Sequence, residues 1–154
     1  NQATADKMDR HIADARARGA EVLVGGGRAP GYPTDLYYDF TLIDRVPEES
    51  AVSQEESFGP VLPVLSAPDD AEAAALANRT RLGLQAAVFT RSLDKAFWYA
   101  DRIRSGTVVI NDSTDFWETF QPFGGAAGTD TGWGRGGLED FTDLQTLVID
   151  LNNV

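Results

Sequence analysis

Apolar positions along this chain follow two periods in turn. Met8, Ile12 and Ala15 recur at helical spacing, and Asp6, Asp9, Arg10, Asp14, Arg16 and Arg18 supply the charged remainder, so residues 6–18 are predicted to form a helix. Gly19 follows basic residues, as a helix C-cap should. Residues 21–24 read as a short strand, ended by Gly25, Gly26 and Gly27. Residues 28–36 contain Pro30, Gly31 and Pro33 and are predicted loop. Residues 38–43 alternate well enough for a second strand. Residues 61–65 form a third, interrupted by Pro63, which points to an edge or a bend.

Beyond this point helix and strand alternate. Residues 69–78 are Ala-rich, with Asp69 and Asp70 at the positive end of a predicted helix. Gly83 and Leu84 turn the chain into a strand over 85–90. Ser92 is placed to cap a helix over 92–103, whose Leu93, Ala96, Phe97, Ala100 and Ile103 form one apolar face. Gly106 ends it, and 107–111 is a β-branched strand. The pairs 6–18 with 21–24, 69–78 with 85–90 and 92–103 with 107–111 predict an α/β fold with a largely parallel sheet.

Residues 112–137 break this pattern, with almost no periodicity. They hold Phe116, Trp117, Phe120, Phe123 and Trp133 among seven glycines. A loop this long is usually functional, and its aromatics argue against disorder. It can wall a cleft or pack against a partner; both readings stay open. Residues 138–141 suit a helical turn, and 144–151 a terminal strand whose free edge wants a partner. Self-association is the expectation.

Composition narrows the function. The formal charge is −11, spread along the chain, which argues against nucleic acid and anionic membranes. No run approaches the ~20 apolar residues that span a bilayer. Residues 1–19 are polar and charged, without the apolar core of a secretory leader. Cysteine is absent, which excludes disulfides, thiolate metal sites and a thiol nucleophile within the chain. A cytoplasmic setting is expected. No His/Cys/Asp cluster suggests a metal. His11, the only histidine, is expected on the polar surface of its helix. The chain begins with Asn1, so it is read as a processed chain or a piece of something longer.

One stretch carries candidate chemistry: Gln54-Glu55-Glu56-Ser57-Phe58-Gly59-Pro60-Val61. Pro60 fixes its own φ and pushes Gly59 away from helix. If the stretch is extended, Glu56 and Phe58 point to one side and Glu55 to the other. A carboxylate beside a ring suits a sugar with neighbouring hydroxyls. The alternative is a surface acidic pair followed by a core Phe.

This stretch resembles the E-E-x-F-G-P signature of NAD(P)-dependent aldehyde dehydrogenases. Four further segments resemble that family in the same order: Gly83-Leu84-Gln85-Ala86-Ala87-Val88-Phe89-Thr90, Ser105-Gly106-Thr107-Val108-Val109-Ile110-Asn111, Pro122-Phe123-Gly124-Gly125 and Gly132-Trp133-Gly134-Arg135. The resemblance covers nearly the whole chain. It implies that residues 1–137 are the C-terminal portion of the catalytic domain, and that 138–154 are a terminal turn and oligomerisation strand. It implies that Glu56 hydrogen-bonds the nicotinamide ribose of NAD or NADP and that Phe58 packs near the nicotinamide. Phe116, Trp117 and Phe123 would wall the substrate pocket, and a neighbouring subunit would pair with 144–151.

The family reaction oxidises an aldehyde to an acid through a Cys thiolate, a Glu base and an Asn oxyanion contact. In the family these lie upstream of the part matched here, as does the dinucleotide-binding domain. The expectation is therefore a part of an oxidoreductase, inactive by itself and a homo-oligomer. The alternative is a stand-alone, non-catalytic assembly or binding module of the same ancestry.

Overall fold

The structure is a computed structural model. It describes residues 1–115, 118, 121–126, 131–133 (backbone only), 142–143 and 145–148. The chain divides into two compact units, 1–81 and 82–154. The expected boundary at 137/138 lies outside the described residues.

The first unit opens with α1 (Gln2–Ala17), longer at its start than the apolar spacing predicts. Asn1 explains the extension, because its side chain accepts from the Thr4 amide at 3.0 Å and caps the first turn. At the other end Gly19 takes φ +94°. Its amide donates to Arg16 O and the Ala20 amide to Ala15 O, both at 3.0 Å, which closes the helix in a Schellman arrangement. The buried stripe is Ala5, Met8, His11, Ile12 and Ala15.

Strands β1 (Glu21–Val24), β2 (Thr41–Asp44) and β3 (Val61–Pro63) form one sheet in that order. β1 pairs antiparallel with β2, and β2 parallel with β3. β2 is the middle strand, and both Thr41 and Ile43 are fully buried. Ile43 joins Ile12, Ala15, Val46 and Val52 in the core, with Val22, Tyr38 and Val61 packed against it. Tyr38 lies in an isolated bridge with Arg28 and not in the strand, which starts at Thr41.

The short helix α2 (Ala51–Gln54) is absent from the sequence reading. Its N-cap Ser50 makes no side-chain capping bond. Asp14 of α1 accepts from the Ala51 amide instead, at 2.8 Å. A cap donated from a distant helix leaves no local signal. The unit ends with α3 (Asp70–Asn78), capped by Asp69 accepting from the Glu72 amide.

In the second unit, β4 (Gln85–Val88) and β5 (Thr107–Ile110) pair parallel around α4 (Leu93–Ala100). Ser92 caps α4 as expected. The predicted apolar face of α4 is buried only in part: Ala96 is buried, whereas Leu93 and Phe97 are exposed. Trp98 instead stands edge-on to Tyr99 and under the Arg102 guanidinium. Periodicity marks an apolar stripe but not what covers it. Within the stretch 112–137, β6 (Phe123–Gly124) and β7 (Thr131–Trp133) pair antiparallel. The expected largely parallel sheet is therefore corrected to mixed pairing, because the chain hairpins as well as crosses over. Residues 145–148 form no strand, and Leu147 and Val148 are exposed; Leu144 and 149–151 lie outside the described residues.

The motif segments of this unit meet in one knot. The Gly83 carbonyl accepts from the Gly106 and Ala126 amides, both at 3.0 Å. A Cβ on Gly106 would run into the Gly124 carbonyl, so only glycine fits. Asn111 takes φ +60°, which asparagine tolerates, and its side chain bonds both backbone groups of Thr90.

Ile43→Ala should lower unfolding stability by roughly 2–5 kcal/mol, since the side chain is wholly buried on the middle strand. Urea titration followed by circular dichroism measures this; a loss below about 1 kcal/mol contradicts the assigned core.

Candidate functional site

The stretch 54–61 is not extended throughout. Phe58 has φ +53°, in the left-handed region that a bulky residue rarely adopts. The alternation argument for Glu56 and Phe58 therefore fails, yet both side chains still line one cleft. That cleft measures about 340 Å³ and is bounded by Val52, Glu55, Glu56, Ser57, Phe58, Gly59, Val61 and Pro63. Phe58 is 77% exposed and so lies outside the core of this chain.

Several contacts hold the turn in this shape. The Val61 amide donates to Gly59 O at 2.8 Å, a three-residue turn that suits the fixed φ of Pro60. Pro60 O accepts from the Thr41 amide at 2.8 Å, which ties the turn to the start of β2. Gly59 sits directly on Met8 of α1, and a Cβ there would collide with the Met8 sulfur.

Glu55 points back to α1. Its two oxygens accept from the Arg10 guanidinium at 3.3 and 2.8 Å, and Oε2 lies 3.2 Å from His11 Nε2. His11 Nδ1 is 3.0 Å from Ser57 Oγ. A carboxylate only accepts, so Nε2 carries a proton; in the neutral ring Nδ1 then accepts from the Ser57 hydroxyl. His11 is fully buried, which corrects its expected surface position. Sequence reasoning missed it although it stands three residues after Met8, on the same stripe.

Charge follows geometry. The Arg10 bonds, and after them the His11 bond, pull the Glu55 carboxyl from its ordinary 4.5 to about 2. Arg10 and Glu55 are both substantially exposed, so solvent screens their attraction and its role is mainly geometric. Glu56 has no hydrogen bond or ion pair to any described residue, and its carboxylate is exposed. The structure thus separates two adjacent acids: Glu55 is bound to the scaffold and Glu56 is presented.

A second polar cluster braces α1. Arg28 reaches Asp6, Asp9 and Asp35, and the Tyr38 hydroxyl donates to Asp9 at 2.9 Å. Burial and the Asp9 carboxylate push the Tyr38 hydroxyl pKa up. Of the other expected site residues, Phe123 is half-buried in β6 of the second unit, and Phe116 and Trp117 lie outside the described residues. Among the described residues, no group of three His, Asp or Glu could hold a metal ion, and no helix is long and apolar enough to cross a membrane.

Fold and turn together define an α/β chain that presents a free carboxylate and an exposed ring beside a cleft. The profile described as Aldehyde dehydrogenase family matches residues 1–147. The lactaldehyde dehydrogenase of Methanococcus vannielii is 35% identical over 144 residues, covering 90% of this chain and 29% of that protein. The NADP(+) succinate-semialdehyde dehydrogenase of Saccharomyces cerevisiae is 33% identical over 153 residues, covering 97% and 30%. The aldehyde dehydrogenase of Mycobacterium tuberculosis complexed with NAD+ superposes with a TM-score of 0.84 at 30% identity, covering 93% of this chain and 30% of that one. The chain belongs to the aldehyde dehydrogenase family. It spans about 30% of the length of these relatives.

The lowered Glu55 pKa has a definite sign. Its folded value lies below the unfolded one, so the pairing stabilises fully above about pH 5 and is lost as pH falls towards about 2. Wild type should therefore lose slightly more urea midpoint over this range than Glu55→Gln, the difference being small because solvent screens the exposed pair. Parallel curves for the two proteins would show that Glu55 is not held as described.

Proposed function

We propose that this chain is the C-terminal part of the catalytic domain of an aldehyde dehydrogenase, and that its turn at 54–61 binds the nicotinamide end of NAD or NADP. The observation that carries the reading is Glu56, a carboxylate without a partner among the described residues, beside the exposed Phe58 ring on a braced turn. A carboxylate with both oxygens free can accept from two neighbouring ribose hydroxyls. An exposed aromatic face beside it suits a flat ring. A cleft of about 340 Å³ holds a ribose with part of its base.

In this reading Glu56 binds and orients the ribose, and Phe58 keeps water from one side of the nicotinamide. The bound cofactor supplies the hydride acceptor for oxidation of an aldehyde. The chain has no cysteine, so the nucleophile comes from residues outside it. Phe123, with Phe116 and Trp117, is assigned to the substrate wall. Leu147 and Val148, exposed in the single chain, are assigned to pairing with a second subunit in the homo-oligomer.

Glu56→Gln in the complete enzyme should weaken NADH binding about 10- to 100-fold, the range for a hydrogen bond to a charged group. Nicotinamide fluorescence reads this directly. Unchanged affinity would remove Glu56 from the cofactor site. Residues 1–154 purified alone should show no NAD-linked aldehyde oxidation and should sediment as more than one chain. Turnover by the isolated chain overturns the first point, and a strict monomer the second.

A further inference from the structure

The proposed chemistry uses Glu56 but leaves unexplained why a buried histidine lies beneath it. Both His11 nitrogens are satisfied, and neither partner belongs to α1: they are Glu55 and Ser57, the two residues that flank Glu56. We propose that His11 is a positioning residue, whose rigid ring grips the side chains on either side of Glu56 and so fixes the carboxylate that receives the ribose. This inference rests on the reading of Glu56 given above.

Three observations support it. His11 is 0% exposed, and a buried imidazole is tolerated only where its nitrogens are paired, so its partners cannot drift without cost. Arg10 grips the same carboxylate from the adjacent position of the helix, so both Glu55 oxygens are engaged by α1. One residue further on, Phe58 sits at φ +53° with Gly59 pressed on Met8. A bulky residue persists in that region only where its surroundings over-determine it. Three residues of α1, Met8, Arg10 and His11, thus hold three positions of the turn, and Glu56 is the acid left free.

The order Ser57, His11, Glu55 has the form of a nucleophile and base with an orienting acid. His11 is closed off from solvent, however, and has no route to hand a proton to a substrate. Glu55 is committed to Arg10. The relay serves as a scaffold and not as a hydrolytic centre.

The test is a coupling measurement in the complete enzyme, with NADH affinity read by nicotinamide fluorescence. Ser57→Ala and Glu55→Gln each disturb one tether and leave Glu56 in place. Each should raise the NADH Kd about tenfold, the scale of one weakened hydrogen bond to a charged group. In a Glu56→Gln background the same changes should leave Kd within about twofold, because the charged acceptor they position is already lost. His11→Gln should behave like the tether variants, and if it fails to fold they carry the test without it. Equal losses in both backgrounds would mean that His11 supports the fold only, and would overturn the inference. Affinity unchanged by the tether variants but lowered by Glu56→Gln would overturn it while sparing the cofactor reading. If Glu56→Gln itself has no effect, both fall.

Discussion

A single buried imidazole joins the first helix to the turn that defines this chain. His11 is enclosed, yet its two bonds reach residues 44 and 46 positions away. The neighbouring Arg10–Glu55 pair is more conspicuous but lies in solvent, where such pairs contribute little. What keeps the turn in place is the side of α1 that faces inward: Met8 under Gly59, His11 between Glu55 and Ser57, and Ile12 against Ile43 and Val52. The same stripe therefore forms the core and shapes the site, and the strained Phe58 stands on it.

Backbone economy organises the second unit instead. Gly83 shares one carbonyl between the Gly106 and Ala126 amides, which brings three separate segments together at one oxygen. Gly106 admits the Gly124 backbone where any side chain would block it. Asn111 closes the end of the parallel pair by replacing a ladder partner with its own amide. The roles of these residues are geometric and act on backbone alone.

The two kinds of constraint divide the chain's tasks. In the first unit, side chains are spent on holding one acid so that another stays free. In the second, glycines and an asparagine bring backbone close to backbone.

Local patterns already mark much of this. The cap at Ser92, the helix start near Asp69, the Gly19 stop, and the strands over 21–24 and 107–110 follow from short-range rules, because each depends on neighbours within one turn or one pleat. The acidic-aromatic turn was also visible as a motif. Tertiary contacts decided the rest. Helix α2 begins where Asp14 reaches across from α1, Leu93 and Phe97 are left exposed, and Phe58 takes a left-handed φ next to Gly59, which lies on Met8. The family-like motif already singled out Glu56 from Glu55. What local pattern left out is what holds Glu55, because its partners Arg10 and His11 lie on a helix some 44–45 positions away and are brought to it only by the fold.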